Sequence, residues 1–414
     1  MDNLAKITEL YNCILDKCEL LNIQPETLNH SVRILLIVCL NYSLDENSVP
    51  QEIKLLEIES ILDFLNDELN TGHWSEVPIQ TRRYFTTASF AKCLITLKNS
   101  QEYNEELLKK CLKCVDLGLL LGAPLEHNLE LLTSSAKYLR KVLNKLIESI
   151  ENKSNTENNA SKRGIEVPKE FLNLPGKNVD SIECPSLEFF NKTYFVPQIP
   201  VKLKNCIQHW PALKKWPNIT YLLEIAGDRT VPIEIGSHYV DETWTQKLMT
   251  LKEFIHKHYL SESGDIGYLA QHNLFEQITE LKDDICIPEY CCLSLDYDNT
   301  TEPDINAWLG PVGTVSPLHH DPKNNLLAQI YGTKQIILFS PKDTPYLYPH
   351  EDKLLNNTAQ VNPVVPDLQN YPKFTKTTMF KCLLEPGDML FIPLKWWHHV
   401  MALDKSFSVS FWWQ

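Results

Sequence analysis

Apolar side chains recur at helical spacing through the first part of the chain. Runs such as ILLIVCL, IKLLEIESILDFL, TTASFAKCLITL and ELLTSSAKYLRKVLNKLI place them three or four positions apart, which puts them on one side of a helix. A helix with one apolar side buries it by packing against other helices. The pattern therefore predicts an all-α domain over residues 1–150, and no repeat of constant period occurs in it.

A polar stretch separates this region from the rest of the chain. Residues 151–164 read ENKSNTENNASKRG and contain no large apolar side chain. Such a segment buries too little apolar surface to offset the entropy lost on ordering. We therefore predict a flexible linker over residues 151–165, followed by a second domain over residues 166–414.

The second domain has short segments with prolines, aromatic residues and a period of two. In SFSVSFWW, Phe407, Val409 and Phe411 alternate with serines, as in a strand with one buried face. NNLLAQI and KQIILFS flank a short turn and read as a hairpin, and short turns also separate KCLLE from MLFIPL and HHVMAL from SFSVSFWW. Paired short strands favour a double-sheet barrel or jelly roll. The predicted fold class is α+β, with the helical domain first.

The charge balance narrows the classes of partner. The sequence holds 39 Lys and Arg against 53 Asp and Glu, for a formal net charge of −14 at pH 7. Phosphate contact needs a basic face, so direct nucleic-acid binding is not expected. A basic protein partner is compatible with this charge, and an acidic surface that only keeps the protein soluble explains it equally well.

The N-terminal residues and the cysteines give no sign of secretion. Residues 1–10 lack the basic and apolar regions of a signal peptide, and no apolar run approaches the roughly 20 residues of a membrane span. We therefore expect an intracellular protein without membrane contact, whose 12 cysteines need no disulfides. Cys111 and Cys114 lie one helical turn apart, which favours a packed helix face over a metal site.

The segment SPLHHDPKNN brings two histidines and an aspartate together. In an extended strand the side chains at positions i and i+2 share a face, so His319 and Asp321 can converge on one metal ion while His320 points away. A third ligand has to come from elsewhere, and LKWWHHV offers His398 or His399 near the end of a strand. Two imidazoles and one carboxylate form the facial triad of non-haem Fe(II) oxygenases, which leaves positions open for a cosubstrate and dioxygen.

These motifs resemble a known family. The stretch from about Ile266, through GYLAQHNLFEQI, AWLGPVGTVSPLHHDPKNN and GDMLFIPLKWWHHV to SFSVSFWWQ, is similar to the JmjC domain of Fe(II)- and 2-oxoglutarate-dependent oxygenases. The resemblance is strong over residues 166–414 and extends to the helical half in layout only. It implies a JmjC double-stranded β-helix with its barrel core at about residues 266–414. It also implies that His398, rather than His399, completes the catalytic metal site.

The resemblance further implies a binding site for 2-oxoglutarate. The distal carboxylate of this cosubstrate is costly to bury without a cation. Lys334, at the start of KQIILF, matches the family's cosubstrate lysine, although from the residues alone an exposed hairpin lysine is the simpler expectation. Tyr268, Ser316 and Asn325 match positions that hydrogen-bond the cosubstrate, and Gln271 is a weaker match.

The pocket over the iron decides which reaction such an enzyme performs. Guanidinium stacks on aromatic rings and pairs with a carboxylate through two hydrogen bonds. In the arginine-hydroxylating members that the chain resembles, one acid and three tryptophans form the arginine pocket, although read alone these tryptophans are ordinary core residues. The matching positions are Glu234, Trp244, Trp308 and Trp412, and Trp413 joins the candidate wall.

The predicted function is therefore hydroxylation of arginine side chains in a basic protein or peptide. Histones, ribosomal proteins and chromatin-associated proteins are the candidate partners, and the resemblance implies residence in the nucleus, with the cytoplasm as a second location. A histone lysine demethylase with the same iron chemistry is the first alternative, though the chain lacks the reader and zinc modules of many such enzymes. A metallopeptidase that cuts histone tails is disfavoured because no HExxH or comparable motif occurs. A barrel that only binds other proteins is disfavoured because both metal-binding segments and the lysine are present.

Overall fold

The computed structural model describes most of the chain. The predicted linker at residues 151–165 lies outside the described residues except for Glu151. No helix in the described part is both long and apolar enough to cross a membrane. The described residues are 3–15, 28–72, 76–151, 174–236, 244–261, 265–295, 302–352 and 355–414.

These residues form two compact units. The first lies within Met1–Asn159 and includes Asp228–Thr230. The second lies within Ala160–Gly227 and Val231–Gln414. The long helices precede the strands along the chain, which confirms the predicted α+β class.

The first unit is helical, as the apolar spacing predicted. Its helices are α1 (Asn3–Leu15), α2 (His30–Leu44), α3 (Glu52–Asn70), α4 (Ile79–Asn99), α5 (Glu105–Leu121) and α6 (Leu131–Glu151). Helix α4 packs against α1, α2, α3 and α5. Helix α5 begins at Glu105 because the side chain of Asn104 accepts a hydrogen bond from the Leu107 N–H. Cys111 and Cys114 are buried in the core of this unit, so the prediction of a packed helix face is confirmed.

The second unit contains the strands. They are β1 (Lys177–Asn178), β2 (Asp180–Glu183), β3 (Val201–Lys204), β4 (Thr230–Ile235), β5 (Thr245–Thr250), β6 (Gly267–His272), β7 (Asp304–Gly310), β8 (Val315–His320), β9 (Asn324–Tyr331), β10 (Lys334–Phe339), β11 (Phe380–Leu384), β12 (Met389–Ile392), β13 (Trp397–Ala402) and β14 (Ser406–Trp413). One sheet has the strand order β1-β11-β10-β13-β8. The other has the order β2-β3-β12-β9-β14-β7-β6-β4-β5.

Short helices flank both sheets and supply part of the outer core. Trp216 stacks on Phe407 of β14 with ring centroids 4.4 Å apart, and Trp210 meets Phe411 at 5.8 Å. The apolar face of β14 therefore packs on this layer. The α-helices are Leu187–Phe190, Ala212–Lys215, Ile219–Ala226, Leu251–Phe254, Leu274–Gln277, Thr279–Lys282 and Thr344–Leu347. Asn191–Phe195 and Ile255–Tyr259 are π-helical, and Glu289–Cys292, Pro341–Asp343 and Pro372–Lys376 are 3₁₀-helical.

The predicted hairpin pairing of consecutive strands was wrong. Strand β9 pairs with β12 and β14 in one sheet, whereas β10 pairs with β11 and β13 in the other. The short turn between them crosses from sheet to sheet, as do the turns from β11 to β12 and from β13 to β14. A Cβ at Gly332 would lie 2.1 Å from the Lys405 carbonyl oxygen, so two of these turns meet where only glycine fits. Each crossing adds one strand to each wall of a jelly roll.

The serine face of β14 also departs from the prediction. Ser406, Ser408 and Ser410 are fully buried, so both faces of this strand lie in the interior. Their alternation places them on the same face as Trp412, which lines a cavity between the sheets. We infer that small side chains on this face leave the space that the cavity occupies.

Candidate metal centre and cosubstrate pocket

The structure brings His319, Asp321 and His398 together. One ligand atom from each of them lies within 4.8 Å of the others. Asp321 Oδ1 is 3.7 Å from His319 Nε2, and Asp321 Oδ2 is 3.5 Å from His398 Nε2. The cause is strand register, because β8 and β13 are antiparallel neighbours in which His319 lies directly opposite His398.

Both imidazole rings are held so that Nε2 faces the cluster. His319 Nδ1 lies 2.7 Å from the Pro317 carbonyl oxygen, and His398 Nδ1 lies 2.9 Å from that of Trp396. A hydrogen on Nδ1 completes each contact and leaves the Nε2 lone pair free for a metal ion. The two rings thus present equivalent ligand atoms from neighbouring strands.

The protonation states also suit a cation. Burial, together with the neighbouring His398, lowers the pKa of His319 to about 4, so the ring is neutral near pH 7. Burial acts to raise the pKa of Asp321, but the imidazoles of His398 and His319 outweigh it and hold the pKa below its ordinary value. Asp321 Oδ2 is buried without a hydrogen-bond partner. A carboxylate left without a donor in a buried site favours a cation beside it.

The two neighbouring histidines lie outside this cluster. The ring of His320 packs edge-on against Trp397, with centroids 4.7 Å apart, so it points away from the cluster, as the strand alternation predicted. His399 is buried opposite Ile337 of β10. The residues alone could not separate His398 from His399, and it is His398 that joins His319 and Asp321.

Sequence reasoning missed the backbone contacts that brace this centre. The backbone carbonyl of Asn357 accepts a hydrogen bond from the His320 N–H at 2.9 Å. The side-chain amide of Asn357 donates to the His320 carbonyl at 3.2 Å. On the other side, the Lys395 N–H donates to the Asp321 carbonyl at 3.0 Å. Lys395 adopts a left-handed φ of 60°, which costs energy for a residue with a Cβ. Both metal-binding segments are therefore tied down by groups outside the ligand set.

Lys334 lines the same cavity as the metal cluster. This lysine is 1% exposed, and among the described residues its ammonium group has no carboxylate partner. Its Nζ donates to the Tyr268 hydroxyl at 3.3 Å. Burial lowers the pKa of Lys334 to about 7. A buried cation without an anion is unfavourable, so this part of the cavity wall suits an anionic group of a ligand.

Three other predicted cosubstrate residues line this cavity and one does not. Tyr268, Ser316 and Asn325 contribute to its wall, and the Asn325 Oδ1 atom is buried without a hydrogen-bond partner. Gln271 is exposed at an irregularity between β6 and β7, where its φ is 46°, and it is absent from the wall. The wall also includes three apolar residues that were not predicted, Leu327, Ile392 and Val400.

The predicted substrate residues divide into two groups. Trp308 and Trp412 line the same cavity as the metal cluster. Trp308 is held in place because its indole N–H donates to Ser410 Oγ at 2.8 Å. Glu234 and Trp244 are not part of that cavity wall, although Glu234 lies opposite Tyr268 in the pairing of β4 with β6.

Glu234 is a partly buried acid beside an indole. Burial raises its pKa above the ordinary value, and the Trp244 N–H opposes that rise. The Trp244 nitrogen is buried and makes no hydrogen bond of ordinary geometry, so it lies near the carboxyl without a close contact. Trp413 belongs elsewhere: it stacks on Phe195 in the core, and its N–H donates to the Leu293 carbonyl. Its assignment to the pocket wall was wrong, because neighbouring residues of a strand face opposite sides.

The donor set fits the predicted cofactors. Two imidazole nitrogens and one carboxylate are the ligands of non-haem Fe(II) centres that use dioxygen. A buried lysine in the wall of the same cavity is suited to the distal carboxylate of 2-oxoglutarate. The centre and the lysine therefore match the two ends of a metal-chelating oxo acid.

Comparisons with known proteins agree with this geometry. A family model described as Cupin-like domain matches residues 186–414. Lysine-specific demethylase 8 of Xenopus tropicalis is 39% identical over 405 residues, which cover 86% of this chain and 87% of that protein. Lysine-specific demethylase 8 of Danio rerio is 41% identical over 396 residues, covering 94% of this chain and 95% of that protein.

A relative from insects gives the same result. Jumonji C domain-containing protein 5 of Drosophila melanogaster is 40% identical over 366 residues and covers 86% of each chain. These likenesses extend through both the helical and the barrel regions. The chain thus belongs to the JmjC family of cupin-like oxygenases, enzymes that depend on Fe(II) and 2-oxoglutarate.

Proposed function

We propose that this oxygenase hydroxylates arginine side chains of basic proteins. The observation that carries the proposal is Glu234, a partly buried acid with no cationic partner among the described residues, on the strand next to Tyr268 of the cavity. Aromatic rings accompany it, since Trp244 lies beside its carboxyl and Trp308 lies beside Tyr268. An acid among flat rings suits guanidinium, which is planar, stacks on aromatics and pairs with a carboxylate through two hydrogen bonds.

Each group at the centre has a role in this reaction. His319, Asp321 and His398 hold Fe(II), and Lys334 pairs with the distal carboxylate of 2-oxoglutarate, assisted by hydrogen bonds from Tyr268, Ser316 and Asn325. Bound Fe(II), together with 2-oxoglutarate and dioxygen, supplies an oxidant able to place oxygen into an aliphatic C–H bond. Glu234 and the tryptophans then fix which C–H bond faces the metal. Orientation of this kind contributes a large share of catalytic rate in enzymes.

Lysine demethylation is the competing function, and the printed names of the relatives favour it. The same chemistry on an N-methyl carbon yields a product that loses the methyl group. A trimethylammonium group gains from aromatic walls, but it has no N–H to donate to Glu234. Binding it would leave the carboxylate buried without a hydrogen bond, which is unfavourable. The acid therefore favours arginine over fully methylated lysine.

The partner class follows from charge and from the relatives. A formal charge of −14 attracts a basic protein or peptide. Histones and other basic chromatin or ribosomal proteins present arginine in such a context, which agrees with nuclear action and with a second location in the cytoplasm. Gln271 stays a predicted contact of the cosubstrate site that depends on movement at the irregularity between β6 and β7.

The test uses matched peptides and one isosteric variant. Fe(II)-loaded protein is incubated with 2-oxoglutarate and basic peptides that carry arginine, lysine or trimethyllysine at one fixed position, and peptide mass is followed. We expect a gain of one oxygen on the arginine peptide alone. Glu234→Gln should abolish this gain while leaving 2-oxoglutarate affinity within about twofold, since the acid does not line that cavity.

Other outcomes identify the alternatives. Loss of a methyl group from trimethyllysine, unaffected by Glu234→Gln, would replace arginine hydroxylation by demethylation. Cleavage of the peptide without 2-oxoglutarate would indicate a peptidase. Equal loss of peptide turnover and 2-oxoglutarate affinity in Glu234→Gln would overturn the substrate role of Glu234. His319→Ala serves as the control without a complete metal site.

A further inference from the structure

We propose that Cys184 and Cys206 form a redox-active thiol pair that closes into an intramolecular disulfide. Both residues lie in the second unit, next to the ends of β2 and β3 and outside the site described above. Strands β2 and β3 are parallel, and Glu183 lies opposite Lys204. Cys184 is the residue after Glu183, and Cys206 lies two residues after Lys204.

Both cysteines contact the same backbone carbonyl group. The Cys184 N–H and the Cys206 thiol both donate to the carbonyl oxygen of Lys204, at 2.9 and 3.3 Å. The Cys184 thiol is also close enough to contribute to the raised pKa of Cys206. Neighbouring strands are about 5 Å apart, and an offset of one residue adds about 3 Å along the strand, so a Cα separation of about 6 Å is expected, which a disulfide spans. A bond between the sulfurs therefore needs only side-chain rotation and small local shifts.

The chain holds this corner in a strained form. Cys184 has a φ of 31° and Asn205 a φ of 61°, both in the left-handed region that residues with a Cβ avoid. Because these two residues lie side by side at the ends of β2 and β3, both strands turn at the same place. Strained backbone of this kind persists where the surroundings enforce it, often at sites with a function.

The two thiols differ in exposure, which assigns their order of reaction. Cys184 is exposed and accessible to an oxidant, whereas Cys206 is partly buried against the Tyr290 hydroxyl, 3.7 Å away. Burial raises the pKa of Cys206 to about 11, so this thiol remains protonated near pH 7. Cys184 is therefore the thiol that is oxidised first, and Cys206 is the thiol that resolves the product.

With hydrogen peroxide as oxidant the reaction balances. The Cys184 sulfur forms a bond to one peroxide oxygen, the O–O bond breaks, and the other oxygen leaves as water with the thiol proton. The Cys206 sulfur then attacks the Cys184 sulfur, the S–O bond breaks, and the second oxygen leaves as water with the Cys206 proton. Two thiols lose two hydrogens in total, and one peroxide is reduced to two waters.

Other cysteines of the chain provide internal controls. Cys286 and Cys292 are also exposed, so an oxidant reaches them as well. Cys111 and Cys114 are buried in the helical core and are not accessible. Selective closure of the proposed pair under limiting peroxide would therefore reflect its geometry and not exposure alone.

The experiment is peptide mapping of the full-length protein after limiting peroxide and alkylation of the remaining thiols. Trypsin releases each cysteine of the pair in its own peptide, NVDSIECPSLEFFNK (178–192) and NCIQHWPALK (205–214). We expect the two peptides to be joined, two hydrogens lighter than their sum, and separated again by a thiol reductant. Closure should become faster between pH 7 and 9, as more of the Cys206 thiol ionises.

Matched variants make each outcome decisive. Cys184→Ser and Cys206→Ser should each abolish the joined peptide, whereas Cys286→Ser should leave its yield unchanged. Metal binding and 2-oxoglutarate turnover under reducing conditions should be the same in all three variants, which shows that they fold. Stable oxygen addition at Cys184 without joining, or a link from Cys184 to Cys286 or Cys292, would overturn the proposal.

Discussion

Two buried carboxylates of the second unit have opposite surroundings. Asp284 is 1% exposed and accepts hydrogen bonds from Lys215 Nζ at 2.6 Å, Trp216 Nε1 at 3.0 Å and the Tyr221 hydroxyl at 2.6 Å. Asp321 is 7% exposed, and its Oδ2 atom has no hydrogen-bond partner. The first carboxylate is satisfied by the protein itself. The second is left for a cation that the protein binds.

Two lysines repeat the same contrast. Lys202 lies 3.3 Å from Asp388 and donates to the Leu383 carbonyl at 3.0 Å. Lys334 is more deeply buried and contacts only a neutral hydroxyl among the described residues. A buried charge that is paired within the protein contributes to the structure. A buried charge without a partner of opposite sign indicates a position where a ligand binds.

The largest expected effect comes from substituting each of the two carboxylates, Asp321 and Asp284. Asp321→Ala should reduce metal-dependent turnover by more than about 100-fold, since loss of an outer-sphere partner alone costs up to that much. It should change the thermal stability of the metal-free protein little, because Asp321 Oδ2 makes no hydrogen bond that the substitution would remove. Asp284→Asn should instead lower the free energy of unfolding by about 2–4 kcal/mol, because it weakens three hydrogen bonds. Thermal melts and turnover per folded molecule measure both effects.

If each variant showed the effect expected of the other, the distinction between the two carboxylates would be contradicted. If Asp284→Asn removed turnover at full stability, or Asp321→Ala only lowered stability, hydrogen-bond satisfaction would not separate structural from ligand-binding acids in this fold. His319→Ala should follow Asp321→Ala in both measurements. That agreement would show that the effect belongs to the centre and not to one side chain.

The next effect concerns Lys334 and pH. In the unliganded protein its pKa is about 7, well below the ordinary value near 10.4 of the unfolded chain. Between these values the folded protein binds fewer protons than the unfolded chain at this site. Its stability should therefore rise with pH from about 7 to 10, by up to about 1.4 kcal/mol per unit. Over the same range 2-oxoglutarate should bind more weakly, by up to about tenfold per unit, because the ammonium form is lost.

Lys334→Met isolates this contribution. The variant should bind 2-oxoglutarate about 100-fold or more weakly, as expected when one partner of a buried ion pair is removed. The part of the pH slope that belongs to this lysine should vanish from its stability curve. Lys202→Met is the matched control and should lower stability without changing cosubstrate affinity, because it leaves Asp388 without its cation. An unchanged affinity in Lys334→Met would remove the lysine from the cosubstrate site.

The sequence was most informative where a pattern repeats. Helical spacing predicted the first unit, and the i, i+2 relation predicted that His319 and Asp321 share a face while His320 does not. Strand pairing was not accessible in this way. The turn at Gly332 has the same local chemistry whether the next strand returns to its own sheet or crosses to the other, so a hairpin was predicted where the chain crosses.

Burial limited the prediction of individual residues in the same way. Read from its neighbours, Lys334 is an exposed turn lysine, and only the assembled barrel buries it. Trp413 follows Trp412 directly, yet one lies in the core and the other lines the cavity. Asn357 belongs to a segment without regular periodicity, so no pattern indicated its contact with the metal-binding strand.

The smallest effect tests that contact. Strand β8 is at the edge of its sheet, and Asn357 holds it through the backbone of His320, the residue between the metal ligands His319 and Asp321. Asn357→Ala removes the side-chain hydrogen bond and keeps the backbone one, so metal affinity should fall by about tenfold or less. Asn356→Ala, at the exposed neighbouring position, is the matched control. Metal titration followed by calorimetry, with thermal melts alongside, separates positioning from stability. Weaker metal binding by Asn357→Ala at an unchanged melting temperature would support a positioning role for Asn357. An equal fall of metal affinity and melting temperature in both variants would mean that the segment only contributes to packing.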